Sequence, residues 1–283
     1  VATEPDKRTT TRRRLLQAAA GVAALGAGRA LFGADDSGPG PQTGPAAPAG
    51  PAAQARPRPP EPPAEAYRLR PMAGETSRSG PGAAAPHANI AYTLGADRRE
   101  VFLTFDDGPH PRYTPQILRI LRRHGVRATF FVIGENAVEF PGLLRAIAED
   151  GHAVANHTWS HPQLTGLPPD AVRGELGRTS ELIDDVLGAA PDLARAPYGA
   201  WDDVSLSICN ELGMSPVGWA TDSLDWTLPG AEYIADAVLA GIRPGAIVLA
   251  HDGGGPRRQT VEALRWYLPR LLDDGYRPVP IEP

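Results

Sequence analysis

From about Asp97 onward, short apolar runs alternate with segments whose apolar residues recur every three or four positions. The run Val-Phe-Leu-Thr-Phe at 101–105 is nearly continuous and reads as a strand buried on both faces. In the segment that follows, Ile117, Leu118 and Leu121 share one helical face, with Thr114 at the N-cap, Pro115 at the first helical position and Gly125 as the stop. The alternation then repeats. Strands are predicted at 127–134, 152–157, 192–197, 214–222, 246–252 and 276–281, and helices at 141–151, 169–188, 203–213, 230–242 and 260–275. About seven β/α units with short connections predict an α/β fold with parallel strands, better suited to a barrel of imperfect closure than to an open sheet.

The preceding third of the chain carries a different pattern. Residues 35–96 are dominated by Pro, Ala and Gly, with too few large apolar side chains to offset the entropy of ordering, so a disordered linker is expected there. Residues 1–34 join a basic cluster, Arg12 to Arg14, to an apolar stretch of about 14 residues that ends before Arg29. That length suits an export signal rather than a full membrane span. Thr11-Arg12-Arg13-Arg14-Leu15-Leu16-Gln17 resembles a twin-arginine signal. No small-x-small cleavage site follows at the right distance, so the segment would also serve as an uncleaved membrane tether. The expected location is extracellular or on the cell envelope. The domain itself is assigned to 97–283.

Composition narrows the function classes only a little. A net charge of -5 in 283 residues, without a Lys/Arg stripe interleaved with aromatics, argues against nucleic acid as a partner. The lone Cys209 lies in a helical pattern and is expected to be a buried, inert thiol.

Candidate chemistry collects at predicted strand ends, where parallel α/β folds place their sites. Asp106 and Asp107 end the first strand, His157 the third, Arg195 and Pro197 the fourth; Asp225 follows the fifth and His251 ends the sixth. Two adjacent carboxylates before Gly-Pro suit a surface turn equally well. His157 and His161 stand at i, i+4 and would share a face if the segment made a helical turn. Two histidines and one aspartate form a three-ligand site with open positions, as in catalytic zinc centres, although non-haem iron uses the same set. The doubled aspartate then divides its work, one carboxylate on the cation and the other taking a proton from water. Arg195 beside a carboxylate would keep it ionised and oriented, and a carboxylate beside His251 would keep that imidazole protonated as a general acid. Trp159, Trp201 and Trp226 are candidates to line a sugar groove; Trp219 and Trp266 read as core.

The five stretches TFDDGP, HTWSH, RAPYG, DSLDW and LAH, in that order, resemble the motifs of the polysaccharide deacetylases, the NodB homology domain of carbohydrate esterase family four. The resemblance covers about residues 97–283. It implies a distorted (β/α)7 barrel and hydrolysis of N-acetyl groups from N-acetylglucosamine units of a polysaccharide such as peptidoglycan or chitin oligomers. By motif, Asp106 would be the base, and Asp107, His157 and His161 the ligands of a divalent ion, zinc in the first instance, with cobalt or another divalent ion as the alternative. Arg195 would orient Asp106, Asp225 would tune His251, and His251 would be the acid. The Tyr198 backbone N–H, following Pro197, would face the oxyanion, and Trp226 and Leu249 would bound the acetyl pocket. The domain is expected to act as a monomer. Three rivals stay open: an O-acetyl esterase on xylan, an inactive glycan-binding module, and an Fe(II) oxygenase, which leaves the second aspartate without a task.

Overall fold

The computed structural model describes residues 90–95 and 99–282. Its strands are β1 (Glu100–Gly108), β2 (Thr129–Val132), β3 (Ala153–Asn156), β4 (Leu193–Ala194), β5 (Ser215–Pro216), β6 (Thr221–Asp222), β7 (Ile247–His251) and β8 (Arg277–Pro278). The helices between them are α1 (Thr114–Arg123), α2 (Gly134–Glu139), α3 (Pro141–Glu149), α4 (Pro169–Leu187), α5 (Asp203–Glu211), α6 (Ala231–Gly241) and α7 (Arg258–Asp273). All named strand pairs are parallel, in the order β5-β4-β3-β2-β1-β7-β6, with β8 beside β1. The result is the expected α/β architecture, a parallel sheet curled into an incomplete barrel.

Alternation along each strand explains how the barrel is filled. On β1, Val101, Leu103 and Phe105 join a large apolar cluster with residues of α1, α3, α6 and α7, whereas Phe102 belongs to a separate interior cluster with Phe131, Ala155, Leu193, Val217 and Ile247. Side chains two apart point the same way on a strand. Thr104 and Asp106 therefore continue the inward column of Phe102. The same parity carries Ala155 to His157, Leu193 to Arg195, and Ile247 through Leu249 to His251. Five polar side chains thus project inward because each is in phase with a core residue of its own strand.

The barrel closes in an unusual way at one place. Residues 214–222, expected as one strand, split into β5 and β6, which pair with β4 and β7 at opposite ends of the sheet path. Val217 N–H donates to the Ala194 carbonyl at 2.8 Å, while Ala220 N–H donates to Ile247 at 2.9 Å. A single segment therefore crosses the gap that a hydrogen-bonded ladder would otherwise fill. Apolar runs do not reveal such a switch, because it depends on which neighbouring strand each half pairs with.

Other expectations need correction. The domain boundary falls before residue 97: Ala91 bridges Val217, Thr93 bridges Ala246, and Ile90 is buried, so 90–95 belongs to the folded part. The remaining residues expected to form the linker and an export segment lie outside the described residues. Thr114 is not an N-cap; Tyr113 precedes the helix, and the Thr114 hydroxyl instead donates to Asp252 and accepts from the His110 N–H at 2.7 Å. The short helix α2 was missed, being too brief for periodicity to register. Cys209 is buried, as expected.

Phe130 is fully buried and stacks on Phe105 with ring centroids 5.2 Å apart. Phe130→Ala should lower the unfolding free energy by about 3–5 kcal/mol, measured by chemical denaturation. A loss below about 1 kcal/mol would contradict close packing between the sheet and its outer helices.

Candidate active site

Asp106 and Asp107 reach one mouth of the barrel because β1 is irregular there. The register with β2 shifts between Asp106 and Gly108, and Asp107 takes a positive φ of 70°. In a regular strand these neighbours would point to opposite faces. The shift lets both carboxylates face the same centre.

Asp107 Oδ1 lies 3.3 Å from His157 Nε2 and 3.2 Å from His161 Nε2. One donor atom from each of the three residues fits within 4.8 Å of the others. Those separations suit neighbouring donors at about 2.0–2.2 Å from one shared cation. Two further features fit a metal. Asp107 Oδ1 is buried without a hydrogen-bond donor, and His157 Nδ1 lies 2.8 Å from the Arg195 carbonyl. A carbonyl only accepts, so Nδ1–H donates and the Nε2 lone pair is left for an ion. Burial would raise the Asp107 pKa, but the facing imidazoles outweigh it and hold the carboxyl well below its ordinary value. No helical turn joins the two histidines; 157–161 is an irregular loop with Thr158 at φ 68° and His161 at φ 62°. The imidazoles converge all the same, with ring centroids 5.0 Å apart.

Arg195 connects this cluster to Asp106. Its guanidinium is fully buried and donates to Asp106 Oδ1 at 2.7 Å, to Thr104 Oγ1 at 2.8 Å and to the Gly218 carbonyl at 2.8 Å. Burial lowers the arginine pKa, and Asp106 opposes that effect. Asp106 Oδ2 stands 3.7 Å from His157 Nε2, so the base candidate lies beside the candidate metal ligands.

His251 forms the second constellation. Its Nδ1 is 2.6 Å from Asp225 Oδ1, and Asp225 Oδ2 accepts from the His251 N–H at 2.9 Å and from the Thr260 hydroxyl at 2.7 Å. Burial would lower the His251 pKa; the charge and hydrogen bond of Asp225, followed by the charge of Asp107, outweigh it and raise it from 6.5 to about 9.

The remaining candidates stand on the same rim. Tyr198, at φ 61°, sets its ring edge-on to His161 with centroids 5.0 Å apart, and Pro197 is buried in the same turn. Leu249 precedes His251 on the inward column of β7, and Trp226 follows Asp225 in a short 3-10 turn. Trp219 packs against the interior cluster as expected, whereas three other tryptophans correct the sequence reading. Trp159 packs on α4 beneath Arg178, 3.9 Å from its ring centroid; Trp201 is buried; Trp266, expected in the core, is 43% exposed.

One further residue, Asp252, takes part in the site. Asp252 is fully buried and pushed up to about 7, first by burial and then, against the Thr114 hydrogen bond, by the charges of Asp107 and Asp106. The Gly253-Gly254 run beside it is a legible signal. A Cβ on Gly253 would lie 1.9 Å from the Asp107 carbonyl oxygen, and one on Gly254 2.1 Å from Asp107 Oδ2.

A divalent-ion site beside a buried carboxylate and a carboxylate-held imidazole, at the C-terminal mouth of a parallel barrel, has the layout of a metal-dependent hydrolase. The polysaccharide deacetylase family model matches residues 94–217. A chitooligosaccharide deacetylase of Rhizobium leguminosarum bv. trifolii is 44% identical over 196 residues, which cover 64% of this chain and 90% of that protein. Among solved structures, a peptidoglycan N-acetylglucosamine deacetylase bound to a naphthalenyl N-oxidanyl-benzamide is similar at TM-score 0.66 and 38% identity, covering 68% of this chain and 91% of that one. A family-four pseudoenzyme from Bacillus anthracis is similar at TM-score 0.64 and 29% identity, covering 69% and 68%. The chain belongs to the polysaccharide deacetylase family.

The Asp225–His251 pair yields a titration test. Because its folded pKa lies above 6.5, the pair's contribution to stability is fully present below about 6.5 and is lost as the pH rises through about 9. Asp225→Asn removes the largest raising influence and leaves burial opposed by the charge of Asp107. The His251 resonance, followed by NMR against pH, should then titrate well below its wild-type position near 9. An unmoved titration would show that Asp225 does not set it.

Proposed function

We propose that the chain is a polysaccharide N-deacetylase that hydrolyses N-acetyl groups of N-acetylglucosamine units, with chitooligosaccharide or peptidoglycan strands as substrate, and releases acetate. The observation that carries this reading is the separation of tasks between adjacent aspartates: Asp107 faces two imidazoles, while Asp106 is held by Arg195. A simple binding module has no use for a buried base placed beside a metal site and opposite a protonated imidazole.

Asp107, His157 and His161 would hold the divalent ion, zinc in this reading, which would supply Lewis acidity for the water and for the acetamide carbonyl. Asp106 removes a proton from the water that attacks the carbonyl carbon, and Arg195 keeps the accepting oxygen aimed at it. As the carbonyl oxygen gains charge, the Tyr198 backbone N–H donates to it. The carbon–nitrogen bond then breaks. His251, charged through its pairing with Asp225, passes its proton to the departing nitrogen, leaving an amine and acetate. Leu249 and Trp226 bound the space for the acetyl methyl group. The domain is taken to work as a monomer outside the cell or on its envelope, with 1–34 as the export or tethering segment.

The purified chain loaded with zinc should release acetate from chitopentaose faster than from acetylated xylan. Asp106→Asn should retain metal, measured by elemental analysis, while turnover falls by about 10²–10⁴-fold. Near-normal turnover in that variant would reject Asp106 as the base. Faster release from xylan would favour an O-acetyl esterase instead.

A further inference from the structure

The loop that carries both histidine ligands is held by a residue to which neither the family motifs nor the reaction assigns a role. Residues 157–161 belong to no helix or strand, so their backbone polar groups must find partners elsewhere. The Thr158 and Trp159 carbonyls accept from the Gly134 and Glu135 N–H groups at the start of α2, both at 3.0 Å. The His157 N–H donates to the Val132 carbonyl at 2.9 Å, and side chains take the other four amides. Thr158 N–H donates to Asn156 Oδ1 at 2.8 Å, and His161 N–H to Thr158 Oγ1 at 3.1 Å. The two amides between them, Trp159 and Ser160, both donate to one oxygen, Glu175 Oε2, at 2.8 Å each. The other carboxylate oxygen accepts from the Ser160 hydroxyl at 2.9 Å.

Glu175 lies in the body of α4, which is anchored independently of the loop through buried Val172, Leu176, Thr179 and Ile183. Its carboxylate therefore fixes the middle of a strained segment, with Thr158 and His161 in the left-handed region, against a rigid helix. The segment has the ligand His157 at one end and the ligand His161 at the other. If Trp159 and Ser160 are released, the loop can relax toward ordinary φ values, and His161 Nε2 leaves its place 3.2 Å from Asp107 Oδ1.

We propose that Glu175 is a positioning residue of the metal centre: by clamping the Trp159 and Ser160 amides to α4 it sets the convergence of His157 and His161, and so the affinity for the divalent ion. This rests on the reading of Asp107, His157 and His161 as the metal site.

The test is calorimetric titration of metal-free full-length protein with Zn²⁺, and with Co²⁺ followed by its visible absorption, alongside thermal melting of the metal-free forms. Glu175→Ala should weaken binding by about 10–100-fold, as expected for loss of a group that orients ligands, and should alter the Co²⁺ spectrum, with little change in metal-free melting. Glu175→Gln, which keeps one acceptor oxygen, should fall between Ala and wild type. Arg178→Ala removes only the cation over the Trp159 ring and should bind metal normally. Wild-type affinity in Glu175→Ala, or equal weakening in Arg178→Ala, would overturn the proposal. So would a loss of metal-free stability large enough to account for the weaker binding. Absence of binding in the wild type, or retained binding in Asp107→Ala, would instead overturn the metal site itself.

Discussion

The site depends on a guanidinium placed where no water reaches it. Arg195 sits inside the barrel, and its donors go to Asp106 and Thr104 on β1 and to the Gly218 carbonyl in the segment that crosses the seam. Its own backbone carbonyl fixes the tautomer of His157. Phe131 offers its ring face 4.0 Å from the guanidinium carbon. A buried charge is costly unless paired and hydrogen-bonded, and removing one partner of such a pair costs about 3–5 kcal/mol. That cost links three things that are separate in sequence: closure of the barrel, orientation of Asp106, and presentation of the His157 imidazole. Lysine, with a point charge and no planar fork, would satisfy at most part of this set.

Around that fixed point, much of the site is backbone held in sparsely populated conformations. Asp107, Thr158, His161 and Tyr198 all have positive φ, and all four belong to the site. Each such residue costs on the order of 1–3 kcal/mol unless its surroundings impose the geometry. The surroundings do so here. The glycines after Asp252 allow the β7 loop to lie against Asp107, and Glu175 and α2 hold Thr158–Ser160 from two sides. Helical spacing at His157 and His161 therefore foretold the right partners through the wrong geometry: the two rings meet because an irregular loop folds back, not because a turn of helix stacks them.

Strand ends were the legible part of the sequence. Buried parallel strands are continuous apolar runs, and polar residues that end them must emerge at one mouth, so Asp106, His157, Arg195 and His251 were readable as a set. Their inward direction was also latent in the text, since each keeps the parity of Phe102, Ala155, Leu193 and Ile247. Features that arise from long-range pairing were not readable. The division of 214–222 into β5 and β6 depends on which neighbours accept its hydrogen bonds, and the role of Thr114 depends on Asp252, far away in sequence. Trp159 and Trp201 likewise looked like groove residues only because they adjoin motif residues; their contacts lie with α4 and the core.

Carboxylates of one chemical type end up with different duties because their neighbours differ. Asp225 lies against an imidazole and a threonine hydroxyl and is held below its ordinary pKa despite full burial, whereas Asp252 has a single hydroxyl donor and two carboxylates nearby and is pushed up to about 7. Asp107 faces two imidazoles, and Asp106 faces the guanidinium. The similarity to a pseudoenzyme as well as to a deacetylase means that the barrel alone does not carry activity. What this chain presents at the mouth of its barrel is a set of buried ionisable side chains. In this chain those side chains form two mutually attractive groups, the Asp107 carboxylate and the His251 imidazole, with Asp106 held by Arg195 beside them, and that pairing of opposite charges makes it physically reasonable to gather so many buried ionisable groups in one place.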